Sequence, residues 1–481
     1  MALTASRLAS PILALSLTAA GCTATRPLSG PIQTEATAPP SWGTAAQGTS
    51  PSVDDLSQWW EQFGDTTLTE LVTTSLRANT DIRIAQARLR QARAQRGVAA
   101  AGLMPSVSGS ASASDRTDSP VTLSSALDAS WEPDIFGGTR AGVAAATADL
   151  RATAADLYAT QVSLAAEVAR NYADLRTQQA RLDIARRNEV SQAETLQLTE
   201  FRAQAGLVNS VDVEQARTSV EQTRAQIPAL ESSIAQTMNR LATLAGLQPT
   251  ALRDTLSTAA GLPVLPREVA VGIPASTLRQ RPDVRAAEQR LLAETARLRQ
   301  AETQRFPQLS LSGSLGLSGS PGTQITTGAV SAATGGLSVV SSLAASVFQT
   351  IFDGGRIRQQ IEIQSAAQEQ AVASYEASVL AALEDVENAL VAFEKNRERL
   401  ASLASAAAAA GTAAELARTQ YQAGLTDFQR VLDTQRTVLS VEDTVAQAQG
   451  DRVTGLVQLF QALGGGWSIT TAADILESDR P

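Results

Sequence analysis

The residue types that usually carry out chemistry are scarce in this sequence. It has no histidine and one cysteine among 481 residues, which excludes histidine-based acid–base catalysis, serine–histidine triads and zinc sites of histidine and cysteine. Catalysis would have to rest on carboxylates, yet the Asp and Glu residues mostly follow helical patterns beside arginine, as on solvated or ion-paired helix faces. We therefore predict that the protein is not an enzyme and holds no metal or cofactor.

Two other kinds of binding site are disfavoured. Gly313, Gly316 and Gly319 superficially suggest a phosphate-binding loop, but they lie in an alternating Ser/Leu stretch and open no helix. The net charge is −9 and no basic stripe occurs, so nucleic acid is not an expected partner.

The composition is typical of long helices packed through small residues. Aromatic residues make up only 4% of the chain, and long stretches are rich in Ala, Gln, Arg, Glu and Leu.

The single cysteine, Cys22, follows a segment with the pattern of an export signal. Residues 1–21 contain one arginine, a short apolar run and then small residues, which predicts a secretory signal peptide. The residues before Cys22 resemble the lipobox of bacterial lipoproteins, with Ala19 at the position where leucine is usual, and this implies acylation of Cys22. The alternative is a free buried cysteine. Residues 22–60 are predicted to be a lipidated, extended tether.

The rest of the chain contains two copies of one unit. A predicted helix that starts near Asp81 and ends before Pro105 has a counterpart between Asp283 and Pro307, and both spacings are 202 residues (283 − 81 and 307 − 105). We predict a first repeat over 61–262, with strands at about 103–134, a second repeat over 263–467, with strands at about 306–352, and a C-terminal tail over 468–481.

Each repeat contains two stretches in which apolar residues alternate with serine. Each stretch is about ten residues long, the length of a tilted β-strand that crosses a bilayer. Four strands cannot close a barrel, and an open edge in hydrocarbon leaves backbone groups unpaired at a cost of several kcal/mol each. Other chains must therefore supply strands; two chains would give eight and three would give twelve. The alternative is a soluble pair of β-hairpins.

The longest segments carry apolar residues at every seventh position, which is typical of left-handed coiled coils. Thr139 to Gly206 and Arg356 to Gly424 would each span about 100 Å as continuous helices at about 1.5 Å per residue. The two glycines are predicted to form turns between paired helices, and Pro228 to kink or break the helix that follows the first turn. A helical bundle without a membrane part is the alternative. The clearest heptad positions are Val213, Val220, Ile227, Ile234 and Leu241, then Val431, Val438 and Val445.

Several motifs occur in a fixed order along the chain: Gln58-Trp59-Trp60, Trp131-Glu132-Pro133-Asp134-Ile135-Phe136-Gly137, Arg281-Pro282-Asp283-Val284, and Gly464-Gly465-Gly466-Trp467. This ordered set resembles the outer-membrane factor family of TolC-like proteins, and in particular its NodT-type lipoprotein branch. The resemblance implies an α+β membrane channel-tunnel. Its parts would be a homotrimeric, twelve-stranded transmembrane β-barrel with four strands per chain, a twelve-helix periplasmic coiled-coil barrel, and a mixed α/β equatorial domain around residues 228–274 and near the carboxyl end.

The same resemblance implies a function and partners. The protein would be the outer-membrane channel of a tripartite efflux system, giving substrates a passive exit and gated at its periplasmic end. Its partners would be a periplasmic adaptor (membrane fusion protein), an inner-membrane pump of the RND type and outer-membrane lipid. The chain would be lipid-anchored in the outer membrane and extend into the periplasm. Two alternatives remain: the exit duct of a type I protein secretion system, and a structural coiled-coil lipoprotein without a pore.

Specific residues follow from the resemblance and from the turns. Asp433 would form an anionic ring at the closed periplasmic end, and Tyr421 would be latched to Asp212; a solvated or ion-paired helix carboxylate is the alternative for Asp433. The turns at Gly206, Leu207, Gly424 and Leu425 are predicted to dock the adaptor. Trp131, Phe136, Phe348 and Phe352 fall at strand ends and predict an interfacial aromatic girdle, with packing in the equatorial core as the alternative.

Overall fold

The computed structural model describes residue 42 and residues 56–116, 119–265, 280–319, 323–326, 329–332 and 338–467. The predicted signal peptide, Cys22, most of the tether and the tail at 468–481 lie outside the described residues. The predictions for those segments therefore stay predictions.

The first repeat contains two short helices, two strands and two long helices. A side chain with an oxygen acceptor precedes each short helix, since Asp65 accepts hydrogen bonds from the backbone N–H groups of Thr67 and Leu68, and Asn79 accepts one from that of Asp81. A five-residue helix, α5 (Arg253–Ser257), follows the repeat's last long helix. The other elements are α1 (Thr66–Ala78), α2 (Thr80–Ala101), β1 (Ser106–Arg116), β2 (Ser119–Trp131), α3 (Gly138–Gln204) and α4 (Ser210–Leu244).

The second repeat follows the same order with one addition. Equivalent positions are 202 residues apart before the strands and 218 apart after them (424 − 206), so the second repeat has 16 more residues. The additional residues include a small hairpin that the sequence pattern did not predict, β4 (Thr323–Thr326) paired with β5 (Ala329–Ala332). The remaining elements are α6 (Pro282–Thr303), β3 (Gln308–Gly319), β6 (Ser338–Phe348), α7 (Arg356–Gln422) and α8 (Phe428–Ala462).

The strands of both repeats join in one antiparallel sheet. The strand order is β1-β2-β3-β6, so the pairing of β2 with β3 joins the two repeats, and β1 and β6 lie at the edges. The register of β1 on β2 is regular from Ser106 to Ser114 and shifts before Arg116, where a bulge forms.

The long helices form a layer with two side edges. Helix α3 packs against α2, α4, α6 and α8, while α7 packs against α6 and α8. The side chain of Asn79 donates a 2.9 Å hydrogen bond to the carbonyl of Leu244, and that of Arg281 donates one of 3.1 Å to the carbonyl of Ala462. Helix α2 therefore begins where α4 ends, and α6 begins where α8 ends. The columns α2/α4 and α7 lie at opposite edges of the layer.

An aromatic cluster holds the residues before α1 against the end of α8. Trp59 is fully buried and stacks on Phe460 with ring centroids 5.2 Å apart, and Trp60 and Phe63 pack edge-on against it. The predicted extended tether reached residue 60, and this part of the prediction is wrong. Burial of large apolar side chains orders the residues from Leu56 onwards, where a 3₁₀ helix forms over Trp59–Phe63.

Helix α4 does not break at Pro228. It is continuous there, because the proline removes only one backbone hydrogen bond while packing on both sides, at Val220 and Ile234, holds the helix; the predicted kink stays a prediction. The described part of the predicted mixed equatorial region, residues 228–265, contains the end of α4 and α5, and the mixed α/β character of the whole region stays a prediction.

Helix α7 differs from the other long helices in its surface. Residues 401–414 carry no charge and are mainly alanine, and most of them are exposed. The helix contains an 18-residue window with a mean hydropathy of 1.3, apolar and long enough by composition to span a membrane, of which 6% is buried. Its long heptad packing against α8 identifies it here as a coiled-coil helix.

Candidate functional site

The four-stranded sheet has two chemically different faces. In the observed register Ser106 lies opposite Ser130, and Ser130 opposite Ser312, so even-numbered residues of all four strands share one face. We call this the serine face; among its described side chains Asp128 is the charged one. Cross-strand hydroxyl pairs cover it: Ser106–Ser130 at 2.8 Å, and Ser112–Ser124, Ser310–Ser346 and Ser314–Ser342 at 2.7 Å.

The odd-numbered residues form the opposite, apolar face. Its exposed aliphatic side chains range from 46% exposed at Leu317 to 88% exposed at Leu343, while Leu309 and Leu311 are partly buried. An apolar patch of this extent is unfavourable in water and suits a lipid environment. Strands of 11 to 13 residues, tilted by about 45°, cross a hydrophobic layer of about 25–30 Å. The other exposed members of this face are Val107, Leu123, Leu127, Leu315, Val339 and Val347.

The same sheet is open. Strands β1 and β6 each pair on one side only among the described strands, so each presents a row of unpaired backbone N–H and C=O groups. Such edges are not tolerated in hydrocarbon, where water cannot satisfy them. The described chain therefore holds a membrane-suited sheet that needs further strands to close.

The predicted interfacial aromatics lie at the helix-side end of the sheet, but they are not equivalent. Trp131 lies on the apolar face, 38% exposed, and its indole N–H donates to the carbonyl of Leu103 at 3.0 Å. Phe136 stacks on Phe306 with centroids 4.9 Å apart, and Phe352 is 90% exposed. None of these is in the core. Phe348 pairs in register with Gln308 and so lies on the serine face, which counts against a place for it in a lipid-facing girdle.

An aspartate fixes the corner between sheet and long helix in each repeat. The Asp134 carboxylate accepts hydrogen bonds from the backbone N–H and side chain of Arg140, at 2.8 and 3.1 Å. Burial opposes its charge, but these bonds hold the pKa of Asp134 below its usual value. Asp353 accepts from the backbone N–H groups of Ile357 and Gly355, which lower its pKa. Asp134 lies in one of the motifs that the sequence singles out, but its pattern did not indicate this role.

The far ends of the helix pairs are tight turns around Gly206 and Gly424. Their φ angles are +73° and +75°, a region that side chains with Cβ atoms rarely adopt. The backbone N–H of the following residue closes each turn. Leu207 donates to the carbonyl of Arg202 and Leu425 to the carbonyl of Gln420, both at 2.8 Å. Leu207 is 67% and Leu425 78% exposed, so both turns present an apolar side chain to solvent.

Tyr421 lies in a buried cluster beside these turns and does not pair with Asp212. Its ring is 2% exposed and lies beneath the guanidinium of Arg202, whose Cζ is 4.4 Å from the ring centroid, and Arg202 also donates a hydrogen bond to the Tyr421 carbonyl. The Tyr421 hydroxyl is buried and has no hydrogen-bond partner among the described residues. Tyr421 therefore contacts Arg202 through its ring and its backbone carbonyl. No pattern in the sequence indicated a role for Arg202.

Of the two predicted gate carboxylates, Asp433 is exposed and Asp212 is partly buried. Asp212 forms a capping box with Asn209 at the start of α4, which explains why it is turned away from Tyr421. Asp433, on the first turns of α8, accepts a 3.0 Å hydrogen bond from Gln429 and makes no ion pair among the described residues. In the described residues no cluster of three or more His, Cys, Asp or Glu side chains could hold a metal ion.

Comparison with known proteins agrees with this geometry. The family model described as "Outer membrane efflux protein" matches residues 71–247 and 273–465. The pyoverdine export outer membrane protein OpmQ of Pseudomonas aeruginosa is 31% identical over 459 residues, which cover 91% of this chain and 93% of OpmQ. Nodulation protein T of Rhizobium leguminosarum bv. viciae is 31% identical over 440 residues, 90% of this chain and 89% of that protein.

A solved structure shares the fold. The outer-membrane channel OprN is 36% identical, with a TM-score of 0.81 over 91% of this chain and 99% of that one. The two-faced sheet, the paired long helices and these similarities lead to one conclusion: the chain belongs to the outer membrane efflux protein family and is an outer-membrane channel component of efflux systems.

Proposed function

We propose that three copies of this chain close their sheets into one twelve-stranded barrel that continues into a twelve-helix periplasmic tunnel. The observation that carries this proposal is the open, two-faced sheet. Leucines and valines on one face suit lipid, paired serines on the other suit water, and neither edge strand has a further partner among the strands that the structure describes. The non-pore alternative gives the exposed apolar face no role.

Transport through such a duct is passive. The serine face offers hydroxyl groups and few charges, so the barrel itself would discriminate little between solutes, and choice of cargo would rest with the pump. The partners we propose are a periplasmic adaptor, docked at the exposed turns with Leu207 and Leu425, and an inner-membrane pump of the RND type. Acylation of Cys22 would anchor the chain in the outer membrane. Trp131, Phe136 and Phe352 would mark the interface on the periplasmic side.

The gate we propose lies where the two helix pairs of a chain meet. Arg202 belongs to the α3–α4 pair and Tyr421 to the α7–α8 pair, so moving one pair away from the other breaks the contact between them. Arg418 bonded to Glu194, and Gln435 bonded to Thr195, join the same pairs one to two turns further from the tip. Asp433, exposed nearby, would add an anionic ring in the assembled channel.

Reconstitution tests the function directly. The full-length protein, purified in mild detergent, should have the mass of three chains and should conduct ions in single-channel steps when added to a planar lipid bilayer. A purified monomer that gives no conductance would contradict the proposal. Export assays in a deletion strain distinguish the efflux hypothesis from the type I secretion alternative. One assay measures export of small toxic compounds, and the other measures export of a secreted protein.

A further inference from the structure

The two side edges of the helix layer carry unpaired charges of opposite sign. Helix α2 contains five arginines and one aspartate, and Arg83 and Arg90 are exposed and make no ion pair among the described residues. Helix α7 presents Glu362, Glu369 and Glu376 near its start, which also lack ion partners in the described part of the chain. Most charges along α4 are, by contrast, paired within the chain.

The spacing of these charges places each set on one helix face. Arg83 and Arg90 are seven residues apart, as are Glu369 and Glu376, so each pair lies on one side of its helix. The buried residues of α2, which mark the face it turns towards α3, are Ile82, Ala85, Leu89 and Ala92. Both arginines lie away from that face.

The two sets also lie at matching distances from the sheet. Helix α2 ends at Ala101 just before β1, and Arg90 and Arg83 lie 11 and 18 residues before that end (101 − 90 and 101 − 83), or about 17 and 27 Å. Helix α7 begins just after β6 at residue 356, and Glu369 and Glu376 lie 13 and 20 residues beyond it (369 − 356 and 376 − 356), or about 20 and 30 Å. The helices run in opposite directions, and the mismatch of about 3 Å is within the reach of an arginine side chain.

We propose that α2 of one copy packs against α7 of the next, with Arg83 paired to Glu376 and Arg90 to Glu369. This inference rests on the proposed assembly and names its contact surfaces. We call this contact between α2 of one copy and α7 of the next the seam. It is continuous with the open edges of the sheet, because α2 is followed by edge strand β1, and edge strand β6 is followed by α7. One packing step therefore joins both the strand edges and the helix edges of neighbouring copies.

The charges determine which arrangement of copies is allowed. A two-fold contact would place α2 against α2 or α7 against α7, so that arginine meets arginine or glutamate meets glutamate. The head-to-tail contact pairs opposite charges and, repeated, generates a ring when the rotation between neighbouring copies closes. Exposed ion pairs add little affinity, but juxtaposed like charges are costly, so the seam acts mainly on register and partner choice.

Charge exchange tests the seam. Arg83→Glu with Arg90→Glu, and separately Glu369→Arg with Glu376→Arg, should each lower the association constant of the detergent-solubilised full chain on the order of tenfold per contact at low ionic strength. Combining all four substitutions should restore it. Arg88→Glu is the matched control, because Arg88 is exposed, makes no ion pair with any residue that the structure describes, and lies on the same helix about 140° around from Arg83. The readout is the oligomer distribution by native mass spectrometry.

A cysteine pair provides a second measurement. Arg90→Cys with Glu369→Cys should form a disulfide between copies on oxidation and convert the assembly to a covalently closed ring, whereas Arg90→Cys alone should not. Wild-type oligomers that conduct, combined with no effect of either charge reversal and no ring formation, would overturn the seam and leave the channel intact. A monomeric, non-conducting wild type would overturn both proposals.

Discussion

Arg202→Gln tests the gate most directly. The substitution removes the guanidinium that lies 4.4 Å from the Tyr421 ring centroid, worth about 1 kcal/mol at a partly buried site. It also removes a charged donor to the Tyr421 carbonyl, worth about 1.5 kcal/mol. The two losses total about 2.5 kcal/mol in favour of separated helix pairs, which raises the ratio of open to closed tips by a factor of about 70.

Single-channel recording in planar bilayers measures this ratio. Arg202→Gln should lengthen the open dwell times or raise the conductance, while Tyr421→Phe should change neither, because the Tyr421 hydroxyl has no partner among the described residues. The sequence-based latch predicts the opposite for Tyr421→Phe. Arg186→Gln is the matched control. Arg186 forms an ion pair with Glu231 inside the α3–α4 pair, so this substitution removes the same charge without breaking a contact between the two helix pairs.

Two results would contradict a gate held by Arg202. If Tyr421→Phe opened the channel as much as Arg202→Gln, the hydroxyl would be the latch, with its partner on a neighbouring copy. If Arg202→Gln behaved like Arg186→Gln, the clamp within one chain would not hold the gate.

Three further predictions concern stability and selectivity. Burial and a 2.6 Å hydrogen bond to Asp65 raise the pKa of Tyr172 to about 12, so the tyrosine contributes stability that is present below about pH 10 and lost as the pH rises towards 12. Tyr172→Phe should therefore reduce the fall in melting temperature at alkaline pH. An unchanged dependence of the melting temperature on pH would exclude Tyr172 as the cause of that fall. Asp433→Ala should raise conductance and weaken cation preference in salt-gradient recordings. Unchanged recordings would show that the carboxylate only bonds Gln429 on its own helix and forms no ring. Trp59→Ala should destabilise the helical core by about 3–5 kcal/mol, seen as a lower melting temperature by circular dichroism, and a melt like that of wild type would show that the stack on Phe460 is dispensable.

Periodic patterns predicted the elements that are themselves periodic. The seven-residue spacing placed the long helices, and the turns at Gly206 and Gly424 lie where the pattern breaks. Ser/Leu alternation placed the four long strands, and the 202-residue repeat spacing identified the two copies. These features depend on local sequence, in which one face or stripe must be apolar.

Contacts between segments that are distant in the sequence could not be predicted from such patterns. Arg202 and Tyr421 are 219 residues apart (421 − 202), and neither α3 nor α7 shows from its own pattern which side chain faces the other helix. The family pattern suggested Asp212 instead, but the Asp212 carboxylate accepts a hydrogen bond from the nearer backbone N–H of Asn209 at the start of α4. The tether boundary was wrong because the average composition of residues 22–60 does not show that Trp59 packs on Phe460, 401 residues further along the chain (460 − 59).

The alanine-rich surface of α7 has a consequence for how the protein reaches its membrane. An exported chain passes through an inner-membrane translocon, where sufficiently apolar segments leave sideways into the bilayer and stop. Residues 401–414 carry no charge, and small alanine side chains keep this segment only weakly apolar. Each alanine exchanged for leucine would favour lateral escape, so biogenesis constrains this stretch to remain small as well as neutral, independently of what it packs against once assembled.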